Sequence, residues 1–108
     1  MVEVREYIDA DNRNHFERWF NALNVPAALR VRTYLARIES GNFSAVKGVG
    51  SGVFECRINF GPGYRVYFGK DGERIVILLG GGTKKRQQRD IQRAIKLWNE
   101  YKVRKREQ

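Results

Sequence analysis

The stretch Val53-Phe54-Glu55-Cys56-Arg57-Ile58-Asn59-Phe60-Gly61-Pro62-Gly63-Tyr64-Arg65-Val66-Tyr67-Phe68 reads as two strands and a turn. Phe54, Cys56, Ile58 and Phe60 alternate with Glu55, Arg57 and Asn59. Beyond Gly61-Pro62-Gly63, Tyr64, Val66 and Phe68 alternate with Arg65 and Tyr67. Successive strand side chains point to opposite faces. The pattern therefore predicts a hairpin with one apolar face and one face carrying Glu55, Arg57, Arg65 and Tyr67. Two guanidiniums, a carboxylate and an aromatic ring suit an anionic ligand, and an ordinary cross-strand ion-pair ladder has the same composition.

Downstream, Asp71-Gly72 predicts a tight turn. The nearly continuously apolar run Arg74–Leu79 then predicts an inner strand covered on both faces. The pattern breaks at Gly80-Gly81-Gly82-Thr83, where the cations Lys84, Lys85 and Arg86 begin. Ile91, Ala94, Ile95, Trp98 and Tyr101 mark the buried stripe of a last helix. Cations at a helix start oppose its dipole. Either the helix begins later, near Gln87–Arg89, or the cations are kept for an anion held at the helix start.

Upstream, Val2–Ile8 alternates as a first strand, followed by turn and N-cap residues at Asp9–Asn12. Phe16, Trp19, Phe20 and Leu23 predict a core-facing helix. Ala28, Val31, Leu35 and Ile38 predict a second one, begun at Pro26 and stopped at Gly41-Asn42. The short connection predicts an antiparallel helical hairpin. His15 is assigned to the surface or the helix end, since the chain has no second histidine and only one cysteine with which to complete a metal site. Phe43–Gly52 reads as a flexible connector, from which Lys47 can swing towards a polyanion. It lacks the spacing of a phosphate-binding P-loop.

At 108 residues the chain suits a single domain spanning 1–108. Its 42% hydrophobic content excludes a disordered chain. Cys56 falls on the apolar strand face and reads as a core thiol. No signal peptide or membrane-spanning run is evident, which predicts a soluble, cytoplasmic protein without membrane partners. The net charge of +9 is uneven: residues 84–108 hold ten basic and three acidic residues. That asymmetry favours an acidic partner such as nucleic acid, or a solvated, solubilising helix face.

The Gly63-Tyr64-Arg65-Val66-Tyr67 sequence, the apolar strand leading into Gly80-Gly81-Gly82-Thr83-Lys84, and the order of elements resemble the RelE/ParE toxin superfamily. The chain is most similar to its HigB-like branch of addiction-module killer proteins. The resemblance implies an α+β fold of order β-α-α-β-β-β-α: a small, mostly antiparallel sheet, an N-terminal helical hairpin packed on it, and a closing C-terminal helix. It also implies a toxin of a type II toxin–antitoxin system, neutralised by a small helix-turn-helix antitoxin. RelE-like and HigB-like members cleave messenger RNA on the ribosome without a metal or other cofactor; ParE-like members inhibit DNA gyrase.

Carried over residue by residue, the resemblance matches Arg65 to a hairpin arginine that contacts the scissile phosphate. Arg57 and Lys84 match cleft cations, and Asp90 lies near a helix position used by a tyrosine or an aspartate. Glu55 stands where RelE has a lysine, and is either the general base or the salt-bridge partner of Arg57 and Arg65. Tyr67 is expected to stack on a base, and Lys47, Lys85, Arg86 and Arg89 to hold RNA. The expected chemistry is attack of a 2′-hydroxyl on its own 3′-phosphate, with the cations stabilising the phosphorane. The competing readings are a gyrase inhibitor and a plain basic nucleic-acid-binding module.

Overall fold

The hairpin forms where its alternation predicts, as β3 (Val53–Ile58) and β4 (Tyr64–Asp71) paired antiparallel around Gly61-Pro62-Gly63. In the computed structural model, which describes residues 1–108, it lies within a five-stranded sheet of order β1-β5-β4-β3-β2. The other strands are β1 (Glu3–Glu6), β2 (Val46–Gly50) and β5 (Ile75–Thr83). β1 runs parallel to β5 and every other pair is antiparallel, so the fold is α+β with a mixed sheet. Its three helices are α1 (His15–Asn21), α2 (Val25–Glu39) and α3 (Gln87–Arg106).

Cys56, Ile58, Val66, Phe68, Val76 and Leu78 form one apolar face and bury against Phe16 of α1 and Val31 and Ile38 of α2. On the opposite face Val53, Tyr67, Ile77 and Leu79 bury against Ile91, Ala94, Leu97 and Trp98 of α3. A sheet covered on both faces explains why β5 reads as an unbroken apolar run. Cys56 belongs to the first core, where burial pushes its thiol up to about 11 and leaves it unreactive.

Local signals set the helix ends. The side chain of Asn14 accepts the Glu17 N–H and that of Asn24 accepts the Ala27 N–H, each capping a helix start. Asp9–Asn12, expected to supply the first cap, instead forms the loop before it, with Asn12 at φ 63. The last helix starts at Gln87, after a 3₁₀ turn over Lys84–Arg86. Its far end is pinned to the strands: Tyr101 donates to Asp71 at 2.5 Å, Lys105 pairs with Asp71, and Tyr7 donates to Glu100.

Two expectations are corrected. Phe43–Gly52 is not merely a connector, because Val46, Lys47 and Gly48 pair with Cys56, Glu55 and Phe54 as an edge strand. A bulge between Gly48 and Gly50 and the positive φ of Gly50, Ser51 and Gly52 interrupt its alternation and hide it in the sequence. The expected order therefore lacks one strand. The glycine run does not end β5 either; Gly80, Gly81 and Gly82 pair with Tyr67, Val66 and Arg65. Glycine is needed there for close approach: a Cβ on Gly81 would lie 2.3 Å from the Trp19 ring.

Candidate functional site

The expected polar face of the hairpin is not open to a ligand. Glu55 is completely buried beneath the start of α3, where Gln87 Nε2 donates to its Oε2 at 2.8 Å. Arg65, also buried, holds its Nε 3.5 Å from Glu55 Oε2 and donates from Nη1 to the Gly63 carbonyl at 3.0 Å. Its guanidinium is thus committed to this pair and turn. Tyr67, the cross-strand partner of Glu55, is 1% exposed and cannot stack on a base. Burial first, and the Glu55 carboxylate second, push the Tyr67 phenol pKa up.

Glu55 Oε1, Arg65 Nε and the Tyr67 hydroxyl have no hydrogen-bond partner. The cluster is an internal charge network, and a base at its centre has no route to an RNA hydroxyl. Arg57 alone among the four reaches solvent, with its Nε 3.6 Å from Glu55 Oε1. With Lys47, Tyr34, Arg37 and Asn59 it lines a shallow depression of 420 Å³.

A second constellation lies where β5 outruns β1. The last β1–β5 pair is Glu6 with Leu78, so the glycine-rich end of β5 has no strand on that side. The start of α3 and one side of α1 flank this open edge and enclose a cleft of 640 Å³. From α1, His15, Arg18, Trp19 and Ala22 line it, at the i, i+3, i+4 and i+7 spacing of one helix side. From the other wall come Arg86, Arg89, Asp90 and Arg93, and Gly81, Gly82 and Thr83 form the floor.

Asp90 sits directly on the strand, since a Cβ on Gly82 would fall 1.9 Å from Asp90 Oδ2. Although only 9% exposed, its carboxylate makes no hydrogen bond and no ion pair within 4 Å. Burial raises the pKa of this carboxyl, outweighing the downward pull of Arg93, Arg89 and Arg86. A nearly buried carboxyl with a raised pKa, set among several guanidiniums, stands where a proton donor to a bound anion would be placed.

His15 stands at the start of α1, the helix-end position expected of it, and from there it also lines this cleft. Its Nε2 lies 2.9 Å from Asp9 Oδ2. Asp9 Oδ1 accepts the N–H groups of Asp11 and Arg13, at 2.9 and 2.8 Å. Burial alone would raise the Asp9 pKa, but the hydrogen bonds from Arg13, His15 and Asp11 prevail and lower it. The only signal in the sequence was the helical spacing of His15 and Arg18 with Trp19, which the core pattern of Phe16, Trp19 and Phe20 obscured.

Of the residues expected in the site, Asp90, Arg86 and Arg89 thus converge on the cleft, while Arg65 and Glu55 are packed beneath the first turn of α3. Lys84 and Lys85 are exposed on the 3₁₀ turn without lining the cleft; the Lys84 N–H donates to the Gly63 carbonyl at 3.0 Å. No group of three or more His, Cys, Asp or Glu side chains comes together in a way that could hold a metal ion. No helix is long and apolar enough to cross a membrane.

No family model matches the chain. Over 80 residues it is 41% identical to a protein of Haemophilus influenzae (strain ATCC 51907 / DSM 11121 / KW20 / Rd) described as uncharacterized, a match covering 73% of this chain and 81% of that protein. Identity and coverage of this extent indicate common descent, and the chain belongs to the family of that Haemophilus protein.

Proposed function

We propose that this protein is a RelE/ParE-superfamily toxin of the HigB-like branch that cleaves messenger RNA on the ribosome. The observation that carries the reading is Asp90, a nearly buried carboxyl without a partner, raised in pKa and set among Arg86, Arg89 and Arg93. The layering supports a RelE-like architecture, with α1 and α2 packed on one face of the sheet and α3 on the other. In this reading the arginines grip the scissile phosphate through charge-assisted hydrogen bonds, and the Asp90 carboxyl protonates the departing 5′-oxygen. The basic α3 would follow the RNA backbone or, before that, an acidic segment of a small helix-turn-helix antitoxin encoded beside it. The site of action would be the cytoplasm.

Ribosomes programmed with a defined message and incubated with the purified protein should carry cuts within translated codons, mapped by primer extension. Asp90→Asn should slow cutting by roughly 10²–10⁴-fold, the usual contribution of a positioned proton donor. Intact transcripts in cells whose growth the protein arrests would refute the reading. Burial of Arg65 favours a second reading, since a phosphate cannot reach that guanidinium in this arrangement. That reading is an inhibitor of DNA gyrase, detected by loss of supercoiling with purified protein.

A further inference from the structure

We infer that His15, held by Asp9, is the general base of the cleft and works across it from Asp90. This rests on the proposed nuclease reading and adds to it the half of the chemistry that Asp90 cannot supply. The dyad is built from local backbone: Asp9 Oδ1 takes two N–H groups of its own loop, which leaves Oδ2 for the imidazole. An ionised carboxylate only accepts hydrogen bonds, so it stabilises the tautomer with the proton on Nε2. Nδ1 then carries the free lone pair and makes no hydrogen bond to the protein. A histidine fixed in this way by a carboxylate is oriented as a proton acceptor, as in hydrolases that align imidazole with aspartate.

Asp9, Asp90 and the guanidiniums of Arg18, Arg86, Arg89 and Arg93 are the charged groups around His15 or across the cleft from it. The imidazole takes the proton of a ribose 2′-hydroxyl at Nδ1 as that oxygen bonds to the adjacent phosphorus. The P–O5′ bond breaks, and the Asp90 carboxyl gives its proton to the leaving oxygen. The products are a 2′,3′-cyclic phosphate and a 5′-hydroxyl, so no water, oxidant or metal is consumed. Solvent then returns a proton to Asp90 and removes one from His15. The arginines offset the charge that accumulates on the non-bridging oxygens.

The test uses the full chain on programmed ribosomes, with anisotropy of a labelled RNA oligonucleotide as the binding readout. His15→Ala should lower the cleavage rate about 10²–10⁴-fold with RNA affinity unchanged, and added imidazole should restore part of the rate. Asp9→Asn still accepts the two loop N–H groups, but its amide donates to Nε2 and moves the imidazole proton to Nδ1; it should be comparably slow. As the only histidine, His15 gives an unambiguous ¹⁵N spectrum, which should report the Nε2–H tautomer when neutral. His15→Gln, which keeps a donor to Asp9, covers the case in which His15→Ala does not fold.

Wild-type rates in His15→Gln beside a dead Asp90→Asn would overturn the base assignment while leaving the nuclease reading intact. A neutral His15 protonated on Nδ1 would do the same. Absence of cleavage by the wild-type protein would overturn both.

Discussion

Replacing Gly82 with alanine should separate the position of Asp90 from the stability of the fold. Gly82 lies in the extended β5 ladder without a positive φ, so alanine meets no backbone strain there. The added Cβ would sit 1.9 Å from Asp90 Oδ2 and 2.8 Å from Cγ, whereas ordinary contact begins near 3.4 Å. The oxygen must retreat by about 1.5 Å, and the short Cγ distance means that turning the carboxylate about its own axis is not enough. The side chain must swing at χ1, away from the strand and towards solvent.

The new rotamer costs on the order of 0.5–1.5 kcal/mol. Loss of glycine freedom in the unfolded chain returns roughly 0.4–1 kcal/mol. Net stability by urea denaturation should therefore stay within about 1 kcal/mol of wild type. The carboxyl pKa, raised in the wild type by burial, should drop towards its ordinary value, read from the Asp90 ¹³Cγ shift against pH. Cleavage should fall as far as in Asp90→Asn. An unchanged Asp90 titration in Gly82→Ala would refute the placement of Asp90 on the strand, whatever the protein's activity.

The same geometry predicts the opposite outcome at Gly69, where a Cβ would lie 2.3–2.5 Å from three atoms of the buried Trp98 ring. A ring anchoring α3 cannot rotate clear, so Gly69→Ala should cost about 1–3 kcal/mol in denaturant unfolding; a stabilised variant would contradict this. Arg65→Ala strips the Glu55 carboxylate of its buried counter-ion, leaving only the half-exposed Arg57, and should cost up to roughly 3–5 kcal/mol, lowering the thermal midpoint. A fully stable Arg65→Ala would show that the pair is not needed for folding. Because the folded pKa of Asp90 is raised, the native state binds protons more readily than the unfolded one, and ionised Asp90 destabilises the fold. Asp90→Asn should therefore be more stable than wild type at neutral pH. The difference should shrink as pH falls through the Asp90 titration and be gone below the unfolded carboxyl's range; a constant offset would count against the raised pKa.

Alternation and helical stripes were sufficient to read the core beneath α1 and α2 and the buried stripe of α3, because burial on a strand or helix imposes a period that survives in a single sequence. Tyr67, read as a ligand-facing ring, belongs to the core under α3. β2 was lost for the converse reason: an edge strand with Gly48 and Gly50 and a bulge buries too little to impose one. The glycines of β5 misled similarly. Their meaning lies in what approaches them, Trp19 on Gly81 and Asp90 on Gly82, and both partners come from distant elements. Glu55 and Arg65 illustrate a further limit. A polar residue on one strand face reads as exposed, and only the seating of Gln87 above them shows that this face is roofed.

The two charge clusters stand in contrast, and the contrast bears on which one acts. Glu55 and Arg65 are opposite charges brought together under α3, so their fields largely cancel and neither is left to act on a ligand. Asp90 has Arg86 four residues before it and Arg93 three after, spacings that ordinarily permit helix-surface ion pairs, yet neither guanidinium comes within 4 Å. Contact with the Gly82 backbone holds the carboxyl away from them. An uncompensated acid costs stability, and the guanidiniums it leaves unneutralised remain free to bind an anion. A ligand phosphate entering the cleft would meet that unspent positive charge, with the Asp90 carboxyl on one wall and the imidazole held by Asp9 on the other.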